Sequence, residues 1–166
     1  MKKLFLLVAL SFIACKTAKV NDVENYQVKE ADVSVTLQYL ASDMLEGRDT
    51  GSKGIENAAN YLEQLLEEAD VQPYFSSYKD TLSNFENAFN VVGFIEGTDP
   101  KLKNEFVILG AHYDHIGITE KGFEGDFINN GANDNASGTT VLSEIAKYLG
   151  KTKINKRSVL IVFFFC

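Results

Sequence analysis

Two short segments of the 166-residue chain collect the residue types that bind metal ions. One is Gly110-Ala111-His112-Tyr113-Asp114-His115-Ile116-Gly117. The other is Asn130-Gly131-Ala132-Asn133-Asp134-Asn135-Ala136-Ser137-Gly138. A catalytic zinc takes imidazole nitrogen and carboxylate oxygen. His112 supplies the nitrogen. Asp114 lies two residues on, so in extended backbone it projects to the same side. There it can accept a hydrogen bond from the second ring nitrogen of His112, which fixes the tautomer and raises the basicity of the ligand. Asp134 can offer one carboxylate oxygen to each of two metals about 3.5–4 Å apart. Each residue also has a plainer reading. His112 alone fits a core histidine at a strand end, and His115 a loop or pocket-lining residue. Asp134 and Asn135 suit a helix N-cap, and capping by Asn135 or Ser137 can coexist with metal binding at Asp134. Glu124 and Asp126 read as solvated loop residues.

The elements that must position these groups follow from hydrophobic spacing. Val33, Leu37, Leu40, Ala41 and Leu45 predict a helix over Val33–Leu45. Glu46–Gly54 holds three glycines and reads as a structural turn. Ile55, Ala58, Ala59, Leu62, Leu65, Leu66 and Ala69 form one helical stripe, ended by Asp70 and Pro73. Tyr74–Thr81 mixes aromatic and polar residues as a partly exposed strand would, with Tyr74 and Tyr78 as packing residues. The apolar runs Val91–Ile95, Phe106–Ala111 and Val159–Phe165 predict strands covered on both faces. Between the last two, Ser137–Leu149 predicts a helix with Val141, Leu142, Ile145, Ala146 and Leu149 on its core side. Strand, helix, strand implies neighbouring parallel strands. The expected fold is an α/β three-layer sandwich with a mixed, largely parallel central sheet. Ligands bind such sheets beyond the carboxyl ends of the strands. The segment Ile118–Asn129 is expected to be a polar loop joining the two halves of the site.

Composition narrows the function. A net charge of −7 argues against nucleic acid, which needs a basic face. Lys2 and Lys3, the apolar run Leu4–Ile13 and then Ala14-Cys15 have the layout of a secretory signal, too short to span a bilayer. This start resembles a bacterial lipoprotein signal, with Phe12 where Leu is more usual. The resemblance implies cleavage after residue 14, lipid attachment at Cys15, a polar tether over residues 15–32 and a partial catalytic domain over 33–166. An ordinary cleaved signal with an incidental cysteine is the alternative. The implied location is the cell envelope, anchored in the periplasm or at the cell surface. With Cys15 acylated, Cys166 has no internal disulfide partner.

His112-Tyr113-Asp114, followed downstream by Gly131–Gly138, resembles the co-catalytic zinc aminopeptidases of peptidase clan MH. That group includes the aminopeptidase S, aminopeptidase Y and glutamate carboxypeptidase II types. Leu45-Glu46-Gly47-Arg48, Gly51, Gly54 and the helix from Ile55 are similar to the opening of that family, and Asn90–Gly97 to its first core strand. The resemblance covers roughly residues 35–165. It implies two zinc ions, with His112 binding one, Asp134 bridging both and Asp114 orienting His112. It also implies a cis bond between Asp134 and Asn135, a peptide substrate and hydrolysis of an N-terminal residue. Asn133 stands where some relatives carry Asp. In the family, the strand matching Ser158–Phe165 is followed by a Glu-Glu pair, general base then zinc ligand, and later by a further Asp and His. None of these four is among the 166 residues, and without the later layers of that fold Phe163, Phe164 and Phe165 are expected to be poorly buried.

Three alternatives accompany this reading: a glutaminyl cyclase-like acyltransferase with one zinc, a non-catalytic binding module as in transferrin receptor, and an inactive fragment. For residues 15–166 alone the expectation is weak metal binding, no turnover and poor solubility. Zinc titration and an aminopeptidase assay check this, and tight stoichiometric zinc or measurable turnover would overturn it.

Overall fold

A computed structural model describes residues 26–82 and 88–165. Cys15, the leader and most of the expected tether lie outside the described residues. Among the described residues no helix is long and apolar enough to cross a membrane.

Helix α1 spans Glu30–Leu40, beginning inside the segment read as tether and ending before Leu45. A 3-10 turn, Asp43–Arg48, takes over where the helix was expected to continue, and Glu46 and Gly47 inside it have positive φ. Helix α2 spans Lys53–Glu68 and buries the predicted stripe from Ile55 to Leu66. The Ser52 hydroxyl caps it by accepting from the Ile55 amide at 3.2 Å. Gly54 is dictated by close approach: a Cβ there would stand 1.8 Å from the Leu45 carbonyl oxygen.

Strands β1 (Gln72–Pro73) and β2 (Lys79–Thr81) are short, so the strand expected over Tyr74–Thr81 is only partly formed. The three apolar runs become β3 (Phe89–Ile95), β4 (Phe106–His112) and, last in the chain, β7 (Ser158–Phe164). Between β4 and β7 come β5 (Ile118–Phe123), β6 (Asp126–Ile128) and helix α3 (Ser137–Thr152). The predicted polar loop is therefore a small antiparallel β5–β6 sheet. Glu124 and Asp126 at its turn are exposed.

The main sheet is mixed, in the order β1-β3-β7-β4, with β2 also on β3. Its parallel pairing is β4 with β7; β1, β2 and β7 all meet β3 antiparallel. The sheet is thus partly rather than largely parallel among the described residues. Register places Val91 and Ile95 of β3, Val159, Ile161 and Phe163 of β7, and Ala111 of β4 on one face. These side chains are buried, and α2 and α3 contact the same strands. Phe163 is therefore fully buried, against expectation; Phe164 and Phe165 are partly buried.

Two further expectations fail for definable reasons. Strand β4 is not covered on both faces: Phe106 is 48% and Ile108 66% exposed. Among the described strands it pairs only with β7, and apolar composition cannot reveal whether a strand has one neighbour or two. In α3, Val141 and Ile145 face solvent, while Thr139, Thr140, Leu142, Ser143, Ala146 and Gly150 are buried. The hydroxyls can be buried because they donate to backbone carbonyls: Thr140 to Ala136 at 2.7 Å and Ser143 to Thr139 at 2.9 Å. Gly150 lets α3 approach α2; a Cβ there would stand 2.1 Å from the Ala69 oxygen. Hydropathy ranks Val141 above Ser143, but close helix packing selects small residues. Accordingly, Leu142→Ala should cost about 2–5 kcal/mol in chemical denaturation. Val141→Ala should stay within about 0.5 kcal/mol; equal losses would restore the predicted stripe.

Candidate metal centre

The parallel pairing brings the carboxyl ends of β4 and β7 together, with His112 opposite Phe164. The next residue, Tyr113, is fully buried. Its amide donates to the Phe164 oxygen at 2.9 Å and its hydroxyl to the Phe89 oxygen at 2.6 Å. Burial pushes the Tyr113 hydroxyl pKa well above its usual value, with Asp114 and Glu63 adding to the shift. His112 and Asp114 thus flank a residue anchored to two strands.

The second half of the site is an unusual turn. Gly131 has φ +60°, and Ala132–Ala136 forms a single π-helical turn broken at Asp134 and Asn135. The Asp134–Asn135 peptide bond is cis, as expected from the resemblance. Asn135 and Thr139 donate side-chain hydrogen bonds to the His112 carbonyl at 3.2 and 2.8 Å, tying this turn to the end of β4. The expected side-chain N-cap is not observed. Ala136 occupies the cap position of α3, Asn135 is engaged with His112, and Ser137 donates to the Asn133 oxygen at 2.9 Å.

These contacts converge on His112. Its Nδ1 lies 3.3 Å from Asp114 Oδ1, and its Nε2 lies 3.2 Å from Asp134 Oδ1. His115 Nδ1 is 3.9 Å from Asp134 Oδ2. The Asp114 side chain is nearly buried, whereas that of Asp134 is 70% exposed. An open cavity of about 330 Å³ is lined by these four residues with Asp49, Thr50 and Ile116. The three sequence-derived site residues therefore meet, and His115 lines the pocket. Sequence reasoning missed Asp49 and Thr50, which belong to a turn treated as structural; nothing in their spacing linked them to positions over 60 residues away.

It also missed Arg48. This side chain is 1% exposed, and its guanidinium donates to the carbonyls of Leu40, Tyr113, Asn130 and Gly131. Burial lowers its pKa, while Asp114 and Asp134 act in the opposite direction. The only sequence signal was a charged residue between glycines in a family-like stretch.

The donor types at His112 and Asp134 suit zinc, and Asp114 stands where an orienting carboxylate belongs. Their number is smaller than a zinc site uses: among the described residues, no three His, Cys, Asp or Glu side chains are grouped to hold a metal ion.

The sequence profile of peptidase family M28 matches residues 90–166, the stretch holding His112, Asp114 and Asp134. No curated protein sequence matches the chain. Solved structures share its fold. The LapA aminopeptidase of Legionella pneumophila superimposes with a TM-score of 0.65 at 21% identity, covering 89% of this chain and 37% of that one. A Zn-dependent exopeptidase from Parabacteroides distasonis gives 0.62 at 20% identity, covering 84% and 47%. Porphyromonas gingivalis glutaminyl cyclase gives 0.62 at 21% identity, covering 81% and 46%. The chain thus spans less than half the length of each.

Gly131 is where this geometry is most exposed to substitution. An added Cβ would lie 2.5 Å from the Asp134 oxygen, at a φ that side chains rarely adopt. Gly131→Ala should therefore destabilise the fold by about 1–3 kcal/mol in thermal denaturation; an unchanged midpoint would show that the turn rearranges freely.

Proposed function

We propose that this chain is the N-terminal part of a zinc-dependent exopeptidase of the aminopeptidase type, acting on peptides. The observation that carries the proposal is His112 held between two carboxylates, Asp114 on Nδ1 at 3.3 Å and Asp134 on Nε2 at 3.2 Å. Asp114 accepts from Nδ1–H and so leaves the Nε2 lone pair free for metal. Asp134, more exposed, keeps a second oxygen for a second ion; two zinc ions is the stoichiometry proposed. Zinc held there would polarise a substrate carbonyl and lower the pKa of an attacking water.

His112 and Asp134 fall short of the three protein ligands a catalytic zinc takes. We infer that the general base and remaining ligands come from polypeptide outside these 166 residues. The coverage of less than half of each structural relative agrees with this. Reading the coding sequence beyond the Cys166 codon tests it: a Glu-Glu pair with a later Asp and His supports the inference, and a stop codon overturns it. The proposed location is outside the cytoplasm, anchored through lipid on Cys15, and mass spectrometry of the mature N-terminus decides that point.

A second reading, a glutaminyl cyclase-like acyltransferase, is favoured by one observation: the Porphyromonas gingivalis enzyme superimposes as well as the exopeptidase does. Assays of the full gene product on peptides with free N-termini and on peptides beginning with glutamine separate the two. Cyclisation without release of an N-terminal residue would sink the exopeptidase reading. In the same protein, His112→Ala should abolish binding of one zinc. Asp114→Asn should weaken zinc affinity about 10–100-fold, measured by competition with a chromophoric chelator. Wild-type affinity in both variants would remove these residues from the site.

A further inference from the structure

Arg48 contacts both halves of the site through one planar group. Its Nε donates at 2.7 Å to the carbonyl of Tyr113, the residue between His112 and Asp114. Nη1 donates at 2.6 Å to the Asn130 carbonyl and Nη2 at 3.0 Å to the Gly131 carbonyl, at the entry to the Asp134 turn. Nη1 also donates to the Leu40 carbonyl at the end of α1. The main chain adds a further link, since the His115 amide donates to the Arg48 oxygen at 3.1 Å.

We propose that Arg48 is a positioning residue for the metal centre, its buried guanidinium setting the separation between the His112–Asp114 strand end and the Asp134 turn. This rests on the zinc reading above. A guanidinium is rigid and forked, so it fixes the relative places of several carbonyls at once; an ammonium on a flexible stem is a point donor and cannot. The surroundings are cut to fit it. A Cβ on Gly131 would stand 2.7 Å from Arg48 Nη2, so glycine at 131 is what lets the fork reach its carbonyls. Arg48 itself has φ +52°, and its carbonyl meets the His115 amide in the segment whose Tyr113 carbonyl its side chain also holds. Metal ligands must be held to within about 0.5 Å of productive geometry, and backbone-anchored support is how this is achieved. The hydrogen bonds of the Arg48 side chain all go to main-chain carbonyls, so it acts through the backbone that carries the candidate ligands.

The test uses the full gene product and two variants, Arg48→Lys and Arg48→Gly. Glycine tolerates the positive φ, so the second removes the side chain without straining the backbone. Zinc affinity is measured by chelator competition, and ligand geometry by the visible spectrum of the cobalt-substituted protein, both below each variant's melting midpoint. The expected result is a loss of zinc affinity of about tenfold or more in both variants, as for loss of a group that orients a ligand. An altered cobalt spectrum and partial recovery of Arg48→Gly affinity on adding methylguanidinium should accompany it. Lowered melting midpoints with wild-type zinc affinity and an unchanged cobalt spectrum would make Arg48 merely structural and overturn the proposal. Should neither variant fold, the wild-type protein decides by nitrogen-15 NMR: the Arg48 Nε–H resonance shifts on zinc addition if the proposal holds, and stays in place if it does not. A wild-type protein that binds no zinc overturns the zinc reading and this proposal with it. That failure is visible without any variant and so is distinct from failure of Arg48 alone.

Discussion

The parallel pairing of β4 with β7 is the constraint on which the rest of the structure depends. It runs without a break from Phe106 opposite Ser158 to His112 opposite Phe164. Because the strands are parallel, the chain must leave the end of β4, cross the sheet and return to the start of β7. Helix α3 makes that crossing and contacts both strands, whose Ala111, Ile161 and Phe163 are buried. Burying each large apolar side chain of this set is worth about 1.5–3 kcal/mol. The same topology puts the end of β4 and the entry to α3 at one rim of the sheet. His112 and Asp134 meet there because the pairing leaves them no other place.

A rim built from chain ends and turns exposes backbone carbonyls that need partners. The protein meets that need with side chains rather than with more sheet. Asn135 and Thr139 serve the His112 carbonyl, and the Arg48 fork serves four others. Desolvating a cation is costly, and several charge-assisted hydrogen bonds offset it. The positive charge beneath the rim also lies close enough to Asp114 and Asp134 to interact with both. One buried residue therefore supplies hydrogen bonds, spacing and part of the local charge balance.

Among the described residues, apolar surface remains open on several elements, two of which flank the crossover. The outer edge of β4 carries Phe106, Val107 and Ile108, and the outer side of α3 carries Val141 and Ile145. On α3 the opposite face is well packed, whereas at the start of β4 both faces are exposed and burial is reached only at Ala111. The distinction matters for reading such sequences: a run of apolar residues reports that a strand or helix is rich in hydrophobes, and says little about which neighbours it has.

Much of this protein was legible in its sequence because the signals are local. The stripe from Ile55 to Leu66, the three apolar strands and the order strand, helix, strand depend on spacing alone, and spacing is set by backbone geometry. The pairing of His112 with Asp114 is likewise a two-residue matter. The meeting of His112 with Asp134 was legible only through the joint pattern of two motifs. What the tertiary structure decided is of another kind. Ser143 is inside and Val141 outside because a backbone carbonyl satisfies the hydroxyl and Gly150 brings α3 against α2. Arg48, Asp49 and Thr50 join the site because folding brings a turn early in the chain against residues 112–134. Neither result follows from periodicity, since both rest on contacts between segments far apart in the chain.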